Sequence, residues 1–537
     1  MRKFISWLLL LALVLGCFSG CTRKIDNSAY VPTGNAIVLE GEEEDDFVEE
    51  EKPDQQLNLA YYPNRSLNPL FGSDYINRIL MSLMYQPLFA VDNQKNVTPI
   101  LCGKYQVSAN GQNLWVYLDS GATFSDGSPV RPEDVVACYW QAKENDYYTN
   151  RFRHLTNIEV TEDGNGVLFQ TDVAYQNLPL LLDVPIVKES ELMVGVEDTS
   201  RVPLGSGPYV FHSGTGGYSL QRNPSWWCKD LKIAATDESI DLVEVTSTSD
   251  VRDAFQFNGA GSVSVVCTNP MSASFAEYGC DYELWEIESG YFMYIGCNIL
   301  YSDFFEKDGG IRKFLTYGID RESLAEDAYK GMVDAVTLPC APAASYYNTY
   351  LAEQYEYNAM KFISYLSSFS IPRKDGVQRE LQLLVNADDS ARVNIARTLA
   401  KNLTSMGLPC VTVEYSSGVY QSQIQNGNYD IYLGLTRLSP SMDLSEFFRP
   451  WGEMSWGGLQ HEVIYDMCKN ALKDYGSYYN LYQKLAEDGR IIPVMFGYYN
   501  VYAQRGLLPD LTPARDNVFY YSMGKTMEDC LIEAEYE

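Results

Sequence analysis

Residues 113–135 of this 537-residue chain read NLWVYLDSGATFSDGSPVRPEDV, an order that few folds accommodate. Leu114–Leu118 mixes aromatic and β-branched residues at the density of a half-buried strand. Asp119-Ser120-Gly121 turns the chain, Thr123-Phe124 makes a short extended piece, and Ser125 to Pro129 turns it again. Pro132 then takes a first helical position, where its missing N–H costs nothing, and Glu133 and Asp134 complement the positive end of the helix. Val135, Val136, Tyr139 and Trp140 continue at helical spacing. The stretch predicts a strand, two tight turns and a capped helix, with no catalytic group among them.

The length calls for two or three lobes, and a hydrophobic content of 46% supplies their cores. A formal charge of −31 argues against a nucleic-acid partner, which needs clustered Lys and Arg. Part of that charge sits in one run, Gly41–Asp54, which reads as a solvated tail. Tyrosine is abundant, at 41 residues, and an apolar ring with a polar tip suits a wet binding cleft as well as a surface. The 12 cysteines include no Cys-x-x-Cys pair; most read as small buried hydrophobes, and disulfide pairing stays open.

Arg2-Lys3 followed by the apolar run Phe4–Leu15 has the form of a signal peptide and is too short to span a bilayer comfortably. Ser19-Gly20-Cys21 offers small residues before a cysteine, so residues 1–20 are expected to be a lipoprotein signal and Cys21 the lipidated residue, with Cys17 as the alternative. Residues 21–56 are polar and acidic and are expected to form a disordered tether. About 35 flexible residues reach roughly 30 Å, enough to hold a folded head off a membrane.

Further on, punctuation recurs in a particular order. Asp119-x-Gly-x-x-Phe124-x-Asp126-Gly127-x-Pro129 leads to Glu133-Asp134-Val135. Tyr85-Gln86-Pro87-Leu88 and Pro99-Ile100-Leu101 precede it, while Gly205-Ser206-Gly207-Pro208-Tyr209, Arg222-Asn223-Pro224-Ser225-Trp226-Trp227, Ile319-Asp320-Arg321 and Tyr429-Asp430-Ile431 follow. This succession resembles the family 5 solute-binding proteins, the extracytoplasmic receptors of peptide, nickel and related ABC importers. The resemblance implies an α/β two-lobe clamp of the periplasmic-binding-protein type with an extra subdomain in lobe I. Lobe I would comprise 57–82, 204–290 and 499–537, its subdomain 83–203, and lobe II 291–498, with hinge crossovers near 291–298 and 491–499. It also implies a lipid-anchored, monomeric receptor on the outer face of the cell membrane. Such a receptor would deliver an oligopeptide or similar small solute to a permease and use no cofactor.

Enzymatic constellations are scarce. The histidines are His154, His212 and His461, and His461-Glu462 is not followed by the second histidine of a zincin. There is no Gly-x-Ser-x-Gly elbow, P-loop or dinucleotide fingerprint, so neither an enzyme nor a metal site is expected. A sensor on the same scaffold is the alternative, and a surface hydrolase the weaker one.

For ligand contacts, the resemblance points to the loop after the Tyr429-Asp430 strand, read as Gly434 to Phe448. Asp443 falls on the family's common second acid, but Pro440 stands where peptide-binding members carry an amine-binding aspartate, and Arg437 stands where an aromatic is frequent. An arginine there suits a carboxylate, which it can hold with two parallel hydrogen bonds. Asn68, Tyr85, Tyr294, Asn298, Tyr498 and Trp451 complete the expected lining.

Overall fold

Two antiparallel strands, Tyr282–Cys297 and Ile491–Gln504, form a ribbon that runs through the middle of the principal sheet and belongs to both halves of the molecule. The computed structural model describes residues 56–72, 74–228, 232–256, 262–271, 278–305, 310–519 and 525–532. The expected signal segment, nearly all of the tether, and Cys17 and Cys21 lie outside them.

At one end of the ribbon, Ile491–Gln504 pairs with Val265–Thr268, which is followed by the parallel strands Asn58–Tyr61 and Ser239–Glu244 and the hairpin Tyr209–Gly214/Gly217–Arg222. At the other end, Tyr282–Cys297 pairs with Ile431–Arg437, beyond which Leu381–Asn386 and Cys410–Tyr415 lie parallel. The fold is therefore an α/β two-lobe clamp. Against the first lobe stands a separate four-stranded antiparallel sheet, Cys102–Val107, Asn113–Leu118, Gly166–Thr171 and Leu155–Val160, covered by the helix Pro132–Lys143.

The signature stretch explains itself locally. Asp119 Oδ1 accepts from the Gly121 N–H at 2.9 Å and Asp126 Oδ1 from the Ser128 N–H at 2.8 Å, so each aspartate closes its own turn. Asp134 accepts from the Arg131 N–H at 2.8 Å, capping the helix, and from the Glu189 N–H at 2.7 Å, pinning a distant segment to that helix end.

Cores follow the two-residue period of the strands. In the second lobe, Met293, Ile295 and Leu433 face one apolar cluster, and Phe292, Tyr294 and Tyr432 face another. Both faces of this part of the sheet are thus covered. The Tyr294 ring crosses onto Gly434 and the Tyr432 ring onto Gly296, their direct cross-strand partners. A methyl group at Gly434 would stand 2.5 Å from the Tyr294 ring, so the glycines are the floor on which the tyrosines lie. In the first lobe, Leu59, Leu80 and Val265 share one cluster with Leu114, Val116 and Phe169 of the four-stranded sheet, which fastens the subdomain to the lobe.

Helical structure between 312 and 329 comes in three pieces, Arg312–Leu315, a 3-10 turn Thr316–Gly318, and Arg321–Tyr329, with a break before the last. Ile319 is extended, and Asp320 caps the last segment. The break turns Arg321 inward, where its Nε donates to the Pro493 carbonyl at 2.8 Å and its Nη1 to the Thr316 and Ile319 carbonyls at 3.1 and 3.3 Å. Among the described residues no two cysteines are joined by a disulfide, and no helix is long and apolar enough to cross a membrane.

Candidate ligand-binding seam between the lobes

Where the ribbon passes from lobe to lobe it loses register between Glu288 and Phe292, and Gly290 adopts a positive φ of 80°. A side chain at Gly290 would meet the Leu438 carbonyl and the Arg515 guanidinium, so only glycine lets the second-lobe loop approach this closely. Tyrosines gather here from three directions. The Tyr75 and Tyr291 hydroxyls are 3.0 Å apart, and the Tyr499 ring lies 5.0 Å from that of Tyr75 and 6.3 Å from that of Tyr291. Tyr147 and Tyr148 of the subdomain stack edge to face at 4.9 Å beside them.

Arg437 crosses this seam. The sequence placed it in a loop; instead the strand Ile431–Arg437 runs up to it, opposite Tyr291. Its Nε donates to the Ser289 carbonyl at 3.0 Å, its Nη1 to the Tyr147 carbonyl at 3.0 Å and its Nη2 to the Tyr147 hydroxyl at 2.9 Å. The guanidinium lies 3.8 Å from the centre of the Tyr147 ring, and Nη2 is 3.5 Å from Asp516 Oδ1. A second-lobe side chain is thus bound by first-lobe partners. It pairs with neither Asp443 nor Glu446.

Asp516 sits at the centre of the charge. Arg151 Nη2 reaches its Oδ2 at 2.8 Å, the Tyr147 hydroxyl donates to its Oδ1 at 2.6 Å, and Arg78 Nη1 stands 4.0 Å away. Burial would raise this carboxyl's pKa, but Arg437, Arg151, Arg515 and Arg78 hold it well below the ordinary range. Arg151 also pairs with Asp183, and Lys95 with Glu288.

Asp443 makes the second crossing. It accepts from the Ser445 N–H at 2.8 Å and faces His154 Nε2 of the subdomain at 3.3 Å. His154 Nδ1 lies 2.7 Å from Asp172 Oδ1, so the ring is held between two carboxylates. Burial alone would lower the imidazole's pKa; hydrogen bonds to Asp172 and Asp443, with their charges, raise it to about 10.

Of the expected lining, then, Arg437 and Asp443 lie in the seam. The other six do not present a group to it. Asn68 is fully buried, with Nδ2 donating to the Leu192 and Val194 carbonyls at 2.9 Å each. Asn298 is likewise buried, its amide spent on the Gly427 and Tyr429 carbonyls within its own lobe. The Tyr85 hydroxyl donates to the Pro203 carbonyl at 2.9 Å, and Tyr294 packs on Gly434 with its hydroxyl toward that of Tyr432. Tyr498 bonds Asp334 on the adjoining strand Val333–Ala335. Trp451 is 91% exposed on a left-handed turn and faces solvent. For Asn68, Asn298 and Tyr85 the cause is shared: a polar side chain beside a cleft motif serves the backbone carbonyls around it as readily as a ligand.

Sequence reasoning missed Tyr75, Arg78, Tyr147, Arg151, His154, Arg515 and Asp516. Tyr291 and Tyr499 stood in the stretches read as crossover strands, where alternating tyrosines were the available signal. For Arg515-Asp516 no local pattern announces the role, because its partners lie from 77 to more than 360 residues away.

A family model described as bacterial extracellular solute-binding proteins, family 5 Middle, matches residues 96–458. The oligopeptide-binding protein AppA of Bacillus subtilis (strain 168) is 25% identical over 480 residues, covering 80% of this chain and 83% of its own. Among solved structures, the ABC transporter substrate-binding protein CtaP of Listeria monocytogenes is similar with a TM-score of 0.66 at 17% identity, over 87% of this chain and 98% of that one. Bacillus subtilis AppA, solved in complex with a nonapeptide, gives 0.60 at 20% identity, over 88% and 100%. The two structures speak for the fold, and the family match spans most of the sequence from the subdomain to the end of the Gly-rich stretch after Trp451. On that match, this chain belongs to the family 5 bacterial extracellular solute-binding proteins.

Proposed function

We infer that the protein is the substrate-binding component of an ABC importer, capturing an oligopeptide or similar small solute between its lobes and handing it unchanged to a membrane permease. The observation that carries this reading is Arg437, a second-lobe side chain whose partners Tyr147 and Asp516 belong to the first lobe and its subdomain. Side chains at such a junction are made or broken as lobes close and open, so a solute with higher affinity for the shut form drives closure. The tyrosine walls supply apolar area with polar tips, the usual lining of a wet recognition site. The relatives named as oligopeptide-binding and as an ABC transporter substrate-binding protein support the same class of cargo and partner.

Residues 57–82, 204–290 and 499–537 serve as lobe I, 83–203 as its subdomain and 291–498 as lobe II, and a monomer suffices for the cycle. Lipidation at Cys21 tethers the head to the outer face of the membrane; a Cys21→Ser variant that still takes up a metabolic fatty-acid label moves the anchor to Cys17. The function is tested by native mass spectrometry of the purified protein followed by small-angle scattering. A co-purifying small molecule whose removal enlarges the particle, and whose return shrinks it unaltered in mass, is the expected result. Chemical conversion of the bound compound would overturn the reading.

A further inference from the structure

The second crossing of the seam is built around a proton. His154 stands just before the subdomain strand Leu155–Val160, with its side chain 3% exposed and Asp172 of the same subdomain 2.7 Å from its Nδ1. Across the seam, Nε2 meets two groups of the second lobe, Ser445 Oγ at 2.9 Å and Asp443 Oδ2 at 3.3 Å. The Ser445 hydroxyl donates to Asp443 Oδ2 at 3.0 Å, which leaves its oxygen as an acceptor toward the ring. Each of these partners of the two ring nitrogens is therefore an acceptor. Both nitrogens need a hydrogen, and the ring in this shut form is an imidazolium. Serine, histidine and aspartate at these distances have the outline of a hydrolytic relay, but a ring that already holds both protons cannot take the serine's.

The partners divide by lobe. Asp172 shares the subdomain with His154 and stays beside it whatever the lobes do. Asp443 and Ser445 belong to the second lobe and leave with it, tied to each other by the Ser445 N–H, 2.8 Å from Asp443 Oδ1. Once Nε2 has lost them, one carboxylate instead of two holds the ring as a cation. Asp172, its side chain 53% exposed, opens one side of the pair to solvent, a route by which a proton enters or departs.

The other titratable and charged groups around the ring do not take over this role. Tyr175 stands 6.4 Å from it, and Tyr478 and Cys468 lie near Asp443; burial drives all three well above their ordinary pKa values, so they stay neutral. Tyr465, near Asp172, is also raised by burial. Arg449 on the Asp172 side is bound to Glu446 at 2.8 Å, Lys469 to Asp466 at 2.7 Å, and the adjacent Arg153 to Glu453 at 2.7 Å. Against the lowering effect of burial, the two carboxylates hold the pKa of His154 at about 10 in the shut form.

We propose that closing the lobes takes up a proton from solvent at His154, so that the shut form is favoured in acid and weakened as the pH rises. Below the titration of the open ring the imidazole is charged in either form and the bias is complete; it is lost as the pH climbs through the titration of the shut ring. The consequence for capture rests on the solute-receptor reading above: a receptor that binds a proton in order to shut holds its solute less tightly in alkali. By linkage the relation runs both ways, and whatever opens the lobes lowers the proton affinity of this ring.

The test is imidazole NMR on the mature protein as purified, with its histidine rings isotopically labelled. His154 is one of three histidines and is assigned by the signal missing from His154→Gln. In the wild type both of its ring nitrogens should stay protonated through neutral pH. Arg437→Ala opens the lobes at the other crossing and leaves His154, Asp172, Asp443 and Ser445 unaltered. There the His154 midpoint should drop by about one pH unit or more, roughly a tenfold loss of proton affinity. Asp443→Asn should lower it comparably, while His212 and His461 keep their midpoints. In scattering, the radius of gyration of the wild type should grow as the pH rises from neutral to about 10, and that of His154→Gln should not follow it. If Arg437→Ala does not fold, this comparison of wild type with His154→Gln decides alone. An unchanged His154 midpoint in folded Arg437→Ala, or the same course of radius with pH in wild type and His154→Gln, overturns the proposal. A wild-type ring that titrates at the ordinary histidine value overturns it too. Each of these results leaves the receptor reading standing, since that is decided by the fate of the co-purifying compound.

Discussion

Asp443 of the second lobe and His154 of the first-lobe subdomain lie 3.3 Å apart, carboxylate Oδ2 to imidazole Nε2, with Asp172 on the other side of the ring. The ring is almost fully buried, so its charge state decides whether this contact holds the lobes together or leaves a carboxylate unmatched. Because its pKa is raised from 6.5 to about 10, the protonated ring stabilises the structure fully below pH 6.5. That contribution fades as the pH climbs toward 10.

Thermal midpoints recorded from pH 6 to 10 should therefore decline more steeply for the wild type than for His154→Gln. A parallel decline in the two proteins would remove His154 from the account. At neutral pH the variant should lose about 3 kcal/mol, since Asp443 is then buried without a cation.

Arg437→Ala should open the clamp. It removes the bonds to Ser289 and Tyr147 together with the contact to Asp516, made by a side chain only 9% exposed, at a cost of about 3 kcal/mol to the closed form. Scattering should show a larger radius of gyration. Arg437→Lys should recover little of the loss, because an ammonium cannot stack on Tyr147 while reaching a carbonyl on either side.

Asp516→Asn takes away the central anion of four arginines. Denaturation in urea should show a loss of about 3–5 kcal/mol with little change in slope. A stability equal to that of the wild type would mean the arginines are neutralised from elsewhere.

Gly434→Ala probes the packing of the second lobe, away from the seam. The added methyl meets the Tyr294 ring, which has no room to lift because Phe447 packs against it at 4.9 Å between ring centres. A loss of about 1–3 kcal/mol is expected from overpacking, with scattering of the folded protein unchanged.

The scaffold was far more legible than the site. Pro132, Asp126-Gly127 and Asp320 each act on neighbours within a few residues, through a missing donor, a turn or a cap, so the sequence around them carries the whole cause. The strand Ile431–Arg437 was also legible, although its end was set four residues early: pairing with the strand that carries Tyr291 extends it through Gly434 to Arg437, and local residues do not report a partner strand. The seam is a different kind of object. Tyr147 and Arg437 are 290 positions apart, and so are Asn150 and Arg437 nearly, yet they touch. Asn68, beside the first turn, and Asn298, at the end of the crossover, satisfy buried carbonyls, a demand that only the folded backbone reveals.

The ribbon of Tyr282–Cys297 and Ile491–Gln504 has a mechanical corollary. Since each lobe is built on the same pair of hydrogen-bonded strands, one half cannot slide past the other without tearing rungs from a shared ladder. Flexure is easiest where the ladder is already irregular, between Glu288 and Phe292, where Gly290 bends the chain, and again between Met293 and Tyr294. The molecule thus works like a leaf spring clamped at both ends: it can be flexed repeatedly and returns to the same alignment, so every guest meets the jaws in identical registration.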